Sequence, residues 1–213
     1  MDQNVILVET VPLEFDLESL GCRLRIRPGQ TKFMDRLSRL AEEAARVARP
    51  KAVARLCGLT ILDEEKVQVG EVTFSSPLLR QKMDGLGRAF PYLASEGTEL
   101  ADWSLSLSSS LEQVFASALR EVAVQQAENL LERTLLERYG IAQVSAMNPG
   151  SLKVWSLEEQ VPLFELLAPL PEKLGVTLLP SLMMRPEYSV SGVFFQTDSK
   201  FYNCQLCPKK ECP

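Results

Sequence analysis

Three cysteines near the end of the chain have the spacing that most clearly suggests chemistry. Cys204, Cys207 and Cys212 form a C-x2-C-x4-C pattern. Thiolates spaced in this way can hold an iron–sulfur cluster or a zinc ion. Two lysines between the second and third cysteines would favour the thiolate form and so assist metal binding. These three residues are the candidate metal ligands.

A fourth ligand is missing from this pattern. Cys22, Cys57, a non-protein ligand or a partner chain could each provide it. Both of these cysteines nevertheless lie among apolar residues of strand-like sequence, which predicts that they are core residues. The alternative for residues 204–213 is a frayed tail with solvent-exposed thiols and no metal.

The composition excludes several classes of function. The 213 residues include no histidine, so Ser-His-Asp and Cys-His catalytic arrangements are excluded. No catalytic residue is predicted. The net charge is −5, which argues against nucleic acid as a partner because phosphate binding requires a basic surface.

The sequence also predicts where the protein is found. It carries no apolar run of about 18 residues, the length that a membrane-spanning helix needs. The segment MDQNVILVETVPLEF lacks the basic residues of a signal peptide. Five cysteines without a secretion signal point to a reducing compartment. We therefore expect a cytoplasmic protein.

The spacing of apolar residues alternates between the period of a strand and that of a helix. Strands are predicted at residues 4–8, 22–27, 52–62, 66–74, 88–94, 178–184, 188–195 and 200–206. Helices are predicted at residues 31–49, 78–86, 99–139 and 156–167, the third with an interruption in the serine-rich stretch 104–110. Ser76 is the predicted N-cap of the second helix, and Gly140 is predicted to end the third. Because strands and helices do not alternate regularly, the predicted class is α+β with a substantially antiparallel sheet.

Three polar segments carry weaker signals. Residues 147–151, Met-Asn-Pro-Gly-Ser, predict a turn. Residues 189–192, Ser-Val-Ser-Gly, predict either a β-bulge or a place where a ligand approaches the backbone. Glu128 and Glu132 lie one helical turn apart and are predicted to face solvent.

Residues 184–202 read MRPEYSVSGVFFQTDSKFY. A proline is followed by a Ser-Val-Ser-Gly strand, an aromatic pair and an Asp-Ser-Lys-aromatic-Tyr return strand. This segment closely resembles the C-terminal reactivation domain of cobalamin-dependent methionine synthase. That family carries a Pro-Gly turn earlier in its chain, and residues 149–150 are the matching turn here. The resemblance is specific over residues 140–202.

The resemblance implies a C-shaped α+β domain, residues 1–203, in which helices flank a twisted antiparallel sheet and S-adenosylmethionine binds. In the family this domain docks on the cobalamin-carrying domain. S-adenosylmethionine then remethylates the oxidised cofactor with an electron from a flavodoxin-type donor. Without histidine this chain cannot carry the Asp-x-His-x-x-Gly cobalamin motif, so the cobalamin would belong to a separate partner protein.

The resemblance also implies which residues bind S-adenosylmethionine. Tyr202 matches a ribose-contacting tyrosine, Gly150 the turn that approaches the ligand, and Glu128, more loosely, a helix glutamate that lines the site. Ala146 stands where the family has an arginine for the ligand carboxylate, and Ser151 stands where it has a tyrosine. The full candidate set is Glu128, Ala146, Asn148, Gly150, Ser151, Ser189, Ser191 and Tyr202.

Two main functions follow as hypotheses, beside a third possibility, a purely structural scaffold for a methyltransferase complex. The first is a stand-alone activation subunit for a cobalamin-dependent methionine synthase or a related corrinoid methyltransferase, active in methyl transfer only in complex with the corrinoid protein. A flavodoxin- or ferredoxin-type electron donor is then a further partner. The alternative is an iron–sulfur module that delivers an electron to a corrinoid protein and keeps only a vestigial ligand cleft.

Overall fold

The computed structural model describes residues 3–200. Tyr202, the three C-terminal cysteines and the predicted boundary after residue 203 lie outside this range. Most of the strand predicted at residues 200–206 lies outside it too. Within the range the chain folds around an antiparallel sheet with helices on both faces. The predicted α+β class is confirmed.

Strand β6 lies at the centre of the sheet. It pairs with β2 and β3 along one edge and with β10 along the other, and β10 in turn pairs with β7. A separate small hairpin consists of β8 and β9. The strands within the described residues are β1 (Val5–Val8), β2 (Lys51–Arg55), β3 (Cys57–Ile61), β4 (Lys66–Val69), β5 (Val72–Ser75), β6 (Arg88–Ser95), β7 (Val144–Met147), β8 (Thr177–Leu178), β9 (Met184–Arg185) and β10 (Ser189–Gln196).

The helices differ widely in length, and α5 is by far the longest of those described. None of the helices within residues 3–200 is both long and apolar enough to cross a membrane. A 3-10 turn at Leu157–Glu159 leads into α6. The helices are α1 (Leu17–Arg23), α2 (Thr31–Val47), α3 (Pro77–Lys82), α4 (Thr98–Ser106), α5 (Ser110–Tyr139), α6 (Gln160–Leu167) and α7 (Leu170–Leu174).

Several predicted helix ends are confirmed. The Ser76 hydroxyl accepts a hydrogen bond from the backbone N–H of Leu79 at 3.2 Å and so caps α3. Gly140 ends α5 in the left-handed conformation, with φ of 61°. The serine-rich interruption separates α4 from α5 as expected.

The strand predicted at residues 22–27 is wrong. Residues 17–23 form α1 instead, because the Asp16 carboxylate accepts hydrogen bonds from the backbone N–H groups of Glu18 and Ser19 at 3.1 and 3.0 Å. A side-chain acceptor at this position stabilises the first turn of a helix. The alternating residues that suggested a strand fall on the end of α1 and on the turn that follows it.

The long strands predicted in two other regions are also interrupted. β2 and β3 are separated at Leu56, and β4 and β5 are separated by a turn at Gly70, whose φ is 60°. In the predicted strand 178–184 only the two ends are extended, as parts of β8 and β9. Hydrophobic alternation continues through such breaks, so the pattern alone does not locate them.

Helices cover both faces of β6, which is buried from Ala89 to Ser95. Phe90 and Tyr92 pack on one face with residues of α5. Leu93 packs on the other face with residues of α6. A third cluster joins α1, α2 and α4 to the first half of α5. The long helix therefore connects the sheet to the layer of helices.

The register between β10 and β6 is regular through the Ser-Val-Ser-Gly segment, with Gly192 opposite Tyr92. The alternative of a β-bulge is therefore wrong. A Cβ atom on Gly192 would lie 2.6 Å from Asn148 Nδ2 and 2.9 Å from Tyr92 Cε1, and closer still to the carbonyl oxygen of Met147. The missing side chain lets Tyr92 and Asn148 lie directly over the strand.

Gly192→Ala is expected to destabilise the protein by about 1–3 kcal/mol, the usual cost of overpacking. The backbone carbonyl of Met147 cannot move aside as a flexible side chain would. The matched control is Gly58→Ala in β3, where a Cβ would have no neighbour within 4 Å in the described part of the chain. Urea unfolding of both variants tests this, and equal effects at the two positions would contradict it.

Candidate functional site

A buried tyrosine joins two of the candidate residues. The Tyr92 hydroxyl donates a hydrogen bond to Glu128 Oε1 at 2.6 Å and accepts one from Asn148 Nδ2 at 2.8 Å. Asn148 Nδ2 also donates to the carbonyl oxygen of Ser191 at 2.9 Å. We call Tyr92, Glu128 and Asn148 the tyrosine cluster. Glu128 and Asn148 are half-buried, so the cluster reaches from the core towards the surface.

Three separate elements position the cluster. Tyr92 projects from β6, Glu128 from α5, and Asn148 from the turn that follows β7. The ring of Tyr92 stacks on that of Phe194 in β10, with centroids 3.9 Å apart and an angle of 17° between the planes. Stacking on a core residue fixes the ring, and the hydroxyl is thereby held at the place where helix and turn meet.

Burial determines the protonation of the cluster. It raises the pKa of the Tyr92 hydroxyl, and the neighbouring charge of Glu128 raises it further, so the hydroxyl keeps its proton and remains a donor. Burial also raises the pKa of Glu128, although the hydrogen bond from Tyr92 opposes this shift. Glu128 therefore does not lie on the solvent face as predicted. Its half-buried carboxylate form is stabilised strongly by a nearby positive charge.

Glu132, one turn further along α5, contributes a second carboxylate. Its Oε1 lies 2.6 Å from Lys200 Nζ, and its side chain is 19% exposed. This ion pair ties the segment after β10 to α5. Lys200 thus places a positive charge near the acidic side of the tyrosine cluster, and its charge lowers the pKa of Glu128 in opposition to burial.

The candidates around the turn after β7 lie beside the cluster. Ala146 is half-buried and pairs with Phe194 across the strands. Gly150 and Ser151 are exposed, and Gly150 has φ of 79°. The Gly150 N–H donates to the carbonyl oxygen of Trp155 at 2.9 Å. The predicted turn is confirmed, while the roles of its residues in ligand binding stay predictions.

The two candidate serines of β10 face away from Glu128. The Ser189 hydroxyl lies 3.0 Å from Ser95 Oγ and 2.8 Å from the carbonyl oxygen of Pro186. The Ser191 hydroxyl lies 3.4 Å from Gln160 Oε1. Ser191 contacts the tyrosine cluster through its backbone carbonyl, which accepts the hydrogen bond from Asn148.

The sequence prediction missed Tyr92, the residue that holds the cluster together. A signal was present, because Tyr92 is the one residue with a polar side chain among Ala89-Phe-Pro-Tyr-Leu-Ala94 in a strand predicted to be apolar. A buried hydroxyl needs a hydrogen-bond partner. The sequence does not show which helix or turn provides that partner.

The described cysteines do not form a metal site. Cys57 is buried as predicted, and burial raises the pKa of its thiol, which disfavours the thiolate that a metal needs. Cys22 is exposed, so its prediction as a core residue is wrong. Within residues 3–200 no three His, Cys, Asp or Glu residues are grouped as metal ligands would be. Cys204, Cys207 and Cys212 lie outside these residues.

Comparison with known proteins relates this arrangement to one fold. No family model matches the chain, and no curated protein matches it. Among solved structures it matches the crystal structure of the MetH reactivation domain bound to AdoHcy, with 17% sequence identity and a TM-score of 0.63. The match covers 93% of this chain and 80% of that chain. The chain has the fold of the MetH reactivation domain.

This likeness confirms the fold that residues 184–202 implied. It extends well beyond that segment, because 93% of the chain is covered. The N-terminal half, where the sequence resemblance is not specific, therefore belongs to the same fold. At 17% identity the likeness concerns the fold, and the binding roles of individual residues stay predictions.

Tyr92→Phe is expected to destabilise the protein by about 1–3 kcal/mol, because Glu128 and Asn148 both lose a partner in a half-buried place. The matched control is Tyr139→Phe. Among the residues that the structure describes, the buried Tyr139 hydroxyl has no hydrogen-bond partner, so its removal should leave stability unchanged or raise it. Chemical unfolding compares the two, and a Tyr139→Phe loss as large as that of Tyr92→Phe would contradict the assignment.

Glu128→Gln is expected to change how stability depends on pH. The folded-state pKa of Glu128 is raised, so its favourable contribution is complete below the unfolded value of about 4.3 and is lost as pH rises through the folded value. Glutamine does not ionise. The free energy of unfolding of the variant minus that of wild type should therefore increase as pH rises from about 4 to about 7.

The control for this measurement is Glu137→Gln, which removes an exposed carboxylate from the same helix. Urea unfolding across the pH range gives the free energies. A Glu128→Gln difference that is constant with pH, or that decreases as pH rises, is inconsistent with a raised pKa at this position.

Proposed function

We propose that this chain binds S-adenosylmethionine beside the tyrosine cluster. We further propose that it acts as a stand-alone activation subunit for a corrinoid protein. The observation that carries the proposal is the fold, because the solved domain that shares it is bound to AdoHcy. AdoHcy is what remains of S-adenosylmethionine after its methyl group has been transferred. The sequence resemblance over residues 140–202 points independently to the same domain.

The charge of the tyrosine cluster suits this ligand. S-adenosylmethionine carries a sulfonium and an ammonium group. Glu128 is a half-buried carboxylate whose pKa burial has raised, so a cation beside it would be attracted strongly and would lower that pKa again. The Tyr92 hydrogen bond holds this carboxylate in one orientation. A preorganised carboxylate binds a cationic ligand with little loss of side-chain entropy.

Ala146 is the main departure from the family pattern. Its methyl group cannot hold the ligand carboxylate as an arginine would, and a charge-assisted hydrogen bond of that kind contributes about 1.5–3 kcal/mol. We therefore expect micromolar rather than tighter affinity. The Asn148 Nδ2 and Gly150 N–H groups of the turn after β7 are already hydrogen-bonded within the chain, so they do not replace this contact.

The activity would require other proteins. A separate corrinoid protein would supply cobalamin, which accepts the methyl group from the sulfonium once a flavodoxin- or ferredoxin-type donor has provided one electron. This chain would bind the methyl donor, orient it and exclude water. That role is one of proximity, and it is consistent with the absence of histidine.

Calorimetric titration of S-adenosylmethionine into the anaerobically purified full chain tests the proposal. We expect saturable binding that Glu128→Gln weakens about tenfold, the loss of one charge-assisted contact of about 1.4 kcal/mol. Glu137→Gln should bind as wild type does. Tyr202→Phe should also weaken binding, as the resemblance implies.

Two results would overturn the proposal for the isolated chain. One is the absence of measurable heat up to about millimolar ligand, equivalent to less than about 4 kcal/mol of binding free energy. The other is equal affinity in Glu128→Gln and wild type. A broad visible absorption of the same anaerobic sample would then favour the alternative, an iron–sulfur module carried by Cys204, Cys207 and Cys212.

A further inference from the structure

A cleft lies between α4 and the β8–β9 hairpin, away from the tyrosine cluster. Its volume is about 610 Å³, within the range of small-molecule sites in proteins. Of the described residues that line it, none belongs to the tyrosine cluster. One wall is apolar and open to solvent, since Leu105 is 80% and Met183 55% exposed. Exposed large apolar side chains around a cleft favour a ligand with an apolar body.

The polar end of this cleft is built on a buried ion pair. Arg120 Nε and Nη2 donate to the two carboxylate oxygens of Glu96 at 2.6 and 2.7 Å. Glu96 is fully buried, and the Arg120 side chain is 10% exposed. The Tyr188 N–H donates to Glu96 at 3.2 Å, and the Tyr188 ring lies 4.5 Å from the guanidinium carbon. The guanidinium is thus fixed along one edge and against one face.

The third nitrogen of this guanidinium faces an exposed carboxylate. Arg120 Nη1 lies 3.6 Å from Glu187 Oε2, and the Glu187 side chain is 71% exposed. This distance exceeds that of a hydrogen bond, and an ion pair so exposed contributes little. Both residues line the cleft. Glu187 therefore occupies a place where a carboxylate is attracted but is not held closely.

We propose that this cleft is a second ligand site, which takes a small amphipathic monocarboxylate. Its carboxylate replaces that of Glu187 at Arg120, and its apolar body lies between Leu105 and Met183. A ligand carboxylate can approach Nη1 to hydrogen-bond distance, which Glu187 does not reach, and burial of its apolar body adds to the affinity.

The charges around the cleft favour a single negative charge over a double one. Glu96 already neutralises Arg120, and among the described lining residues Asp102 and Glu187 are acids while Arg185 is a further cation. Both anions would meet repulsion from the two acids, and a phosphate dianion would meet about twice as much as a monocarboxylate. A monocarboxylate with an apolar body meets one guanidinium donor and an apolar wall.

Titration of octanoate into the full chain at neutral pH, followed by NMR chemical shifts, tests this inference. Octylamine and octanol serve as probes of equal chain length with a positive charge or none. We expect saturable octanoate binding that is at least about tenfold tighter than that of either probe, the ratio expected from one charge-assisted hydrogen bond. Equal binding of octanol would overturn the proposal, because the cleft would then select only an apolar chain.

Substitutions at Glu187 and Arg120 test the two ends of the carboxylate contact. Glu187→Gln removes the competing carboxylate and should tighten octanoate binding several-fold, whereas Glu71→Gln, which removes an exposed carboxylate in the β4–β5 turn, should not. Arg120→Lys keeps the charge opposite Glu96 but loses the planar guanidinium, whose separate nitrogens can donate to two carboxylates at once. Octanoate binding should therefore weaken about tenfold. Circular dichroism and a melting curve of Arg120→Lys show whether this variant folds. If it does not fold, the Glu187→Gln result decides the test.

The site is independent of the proposed S-adenosylmethionine site. Glu128→Gln should leave octanoate binding unchanged. A loss of octanoate binding in Glu128→Gln, or unchanged binding in Glu187→Gln, would overturn the assignment to this cleft.

Discussion

Burial of β6 on both faces is the constraint on which the rest of the structure depends. A strand covered by α5 on one side and by α6 on the other must be apolar. Residues Ala89 to Ala94 of β6 are apolar apart from the Tyr92 hydroxyl. That hydroxyl must find its partners within the core. It finds one on the covering helix and one on the turn after β7. The position of the candidate site is therefore a result of the packing of the sheet.

The long helix α5 carries two buried or half-buried ionic arrangements with different character. At Glu128 the acid has a neutral tyrosine as its main partner, so burial dominates and raises the pKa. At Arg120 the partner is a carboxylate, and although burial lowers the pKa of Arg120, the bonds and charge of Glu96 outweigh it and raise that pKa. The negative charge of Glu128 in the first arrangement can therefore attract a cationic ligand. The second is neutral as a pair and offers one nitrogen to an anion.

Local signals in the sequence predicted much of the fold. Capping residues such as Ser76 and Gly140 act within one turn of chain, so their effects can be read directly. The strand expected at residues 22–27 failed because the Asp16 cap and the helix it starts were not recognised. Alternation of apolar residues predicted strands but not their breaks at Leu56 and Gly70.

The candidate site could be predicted only in part, because its key contacts join distant parts of the chain. Glu128 and Asn148 were candidates through the resemblance, but Tyr92, which links them, was not. Gly192 was recognised as unusual, while its neighbours Tyr92 and Asn148 became visible only in the folded chain. A single sequence states which side chains need partners. It does not state which strand, helix or turn supplies them.

The Glu96–Arg120 pair has a consequence for how the sequence can diverge. Replacement of either residue alone leaves a buried charge without its counter-ion, which typically costs about 3–5 kcal/mol. Replacement of both by apolar residues of similar volume is often tolerated. Loss of the pair during evolution therefore requires two coupled substitutions. In a set of relatives these two positions should change together, and the cleft beside them should lose its polar end in the same step.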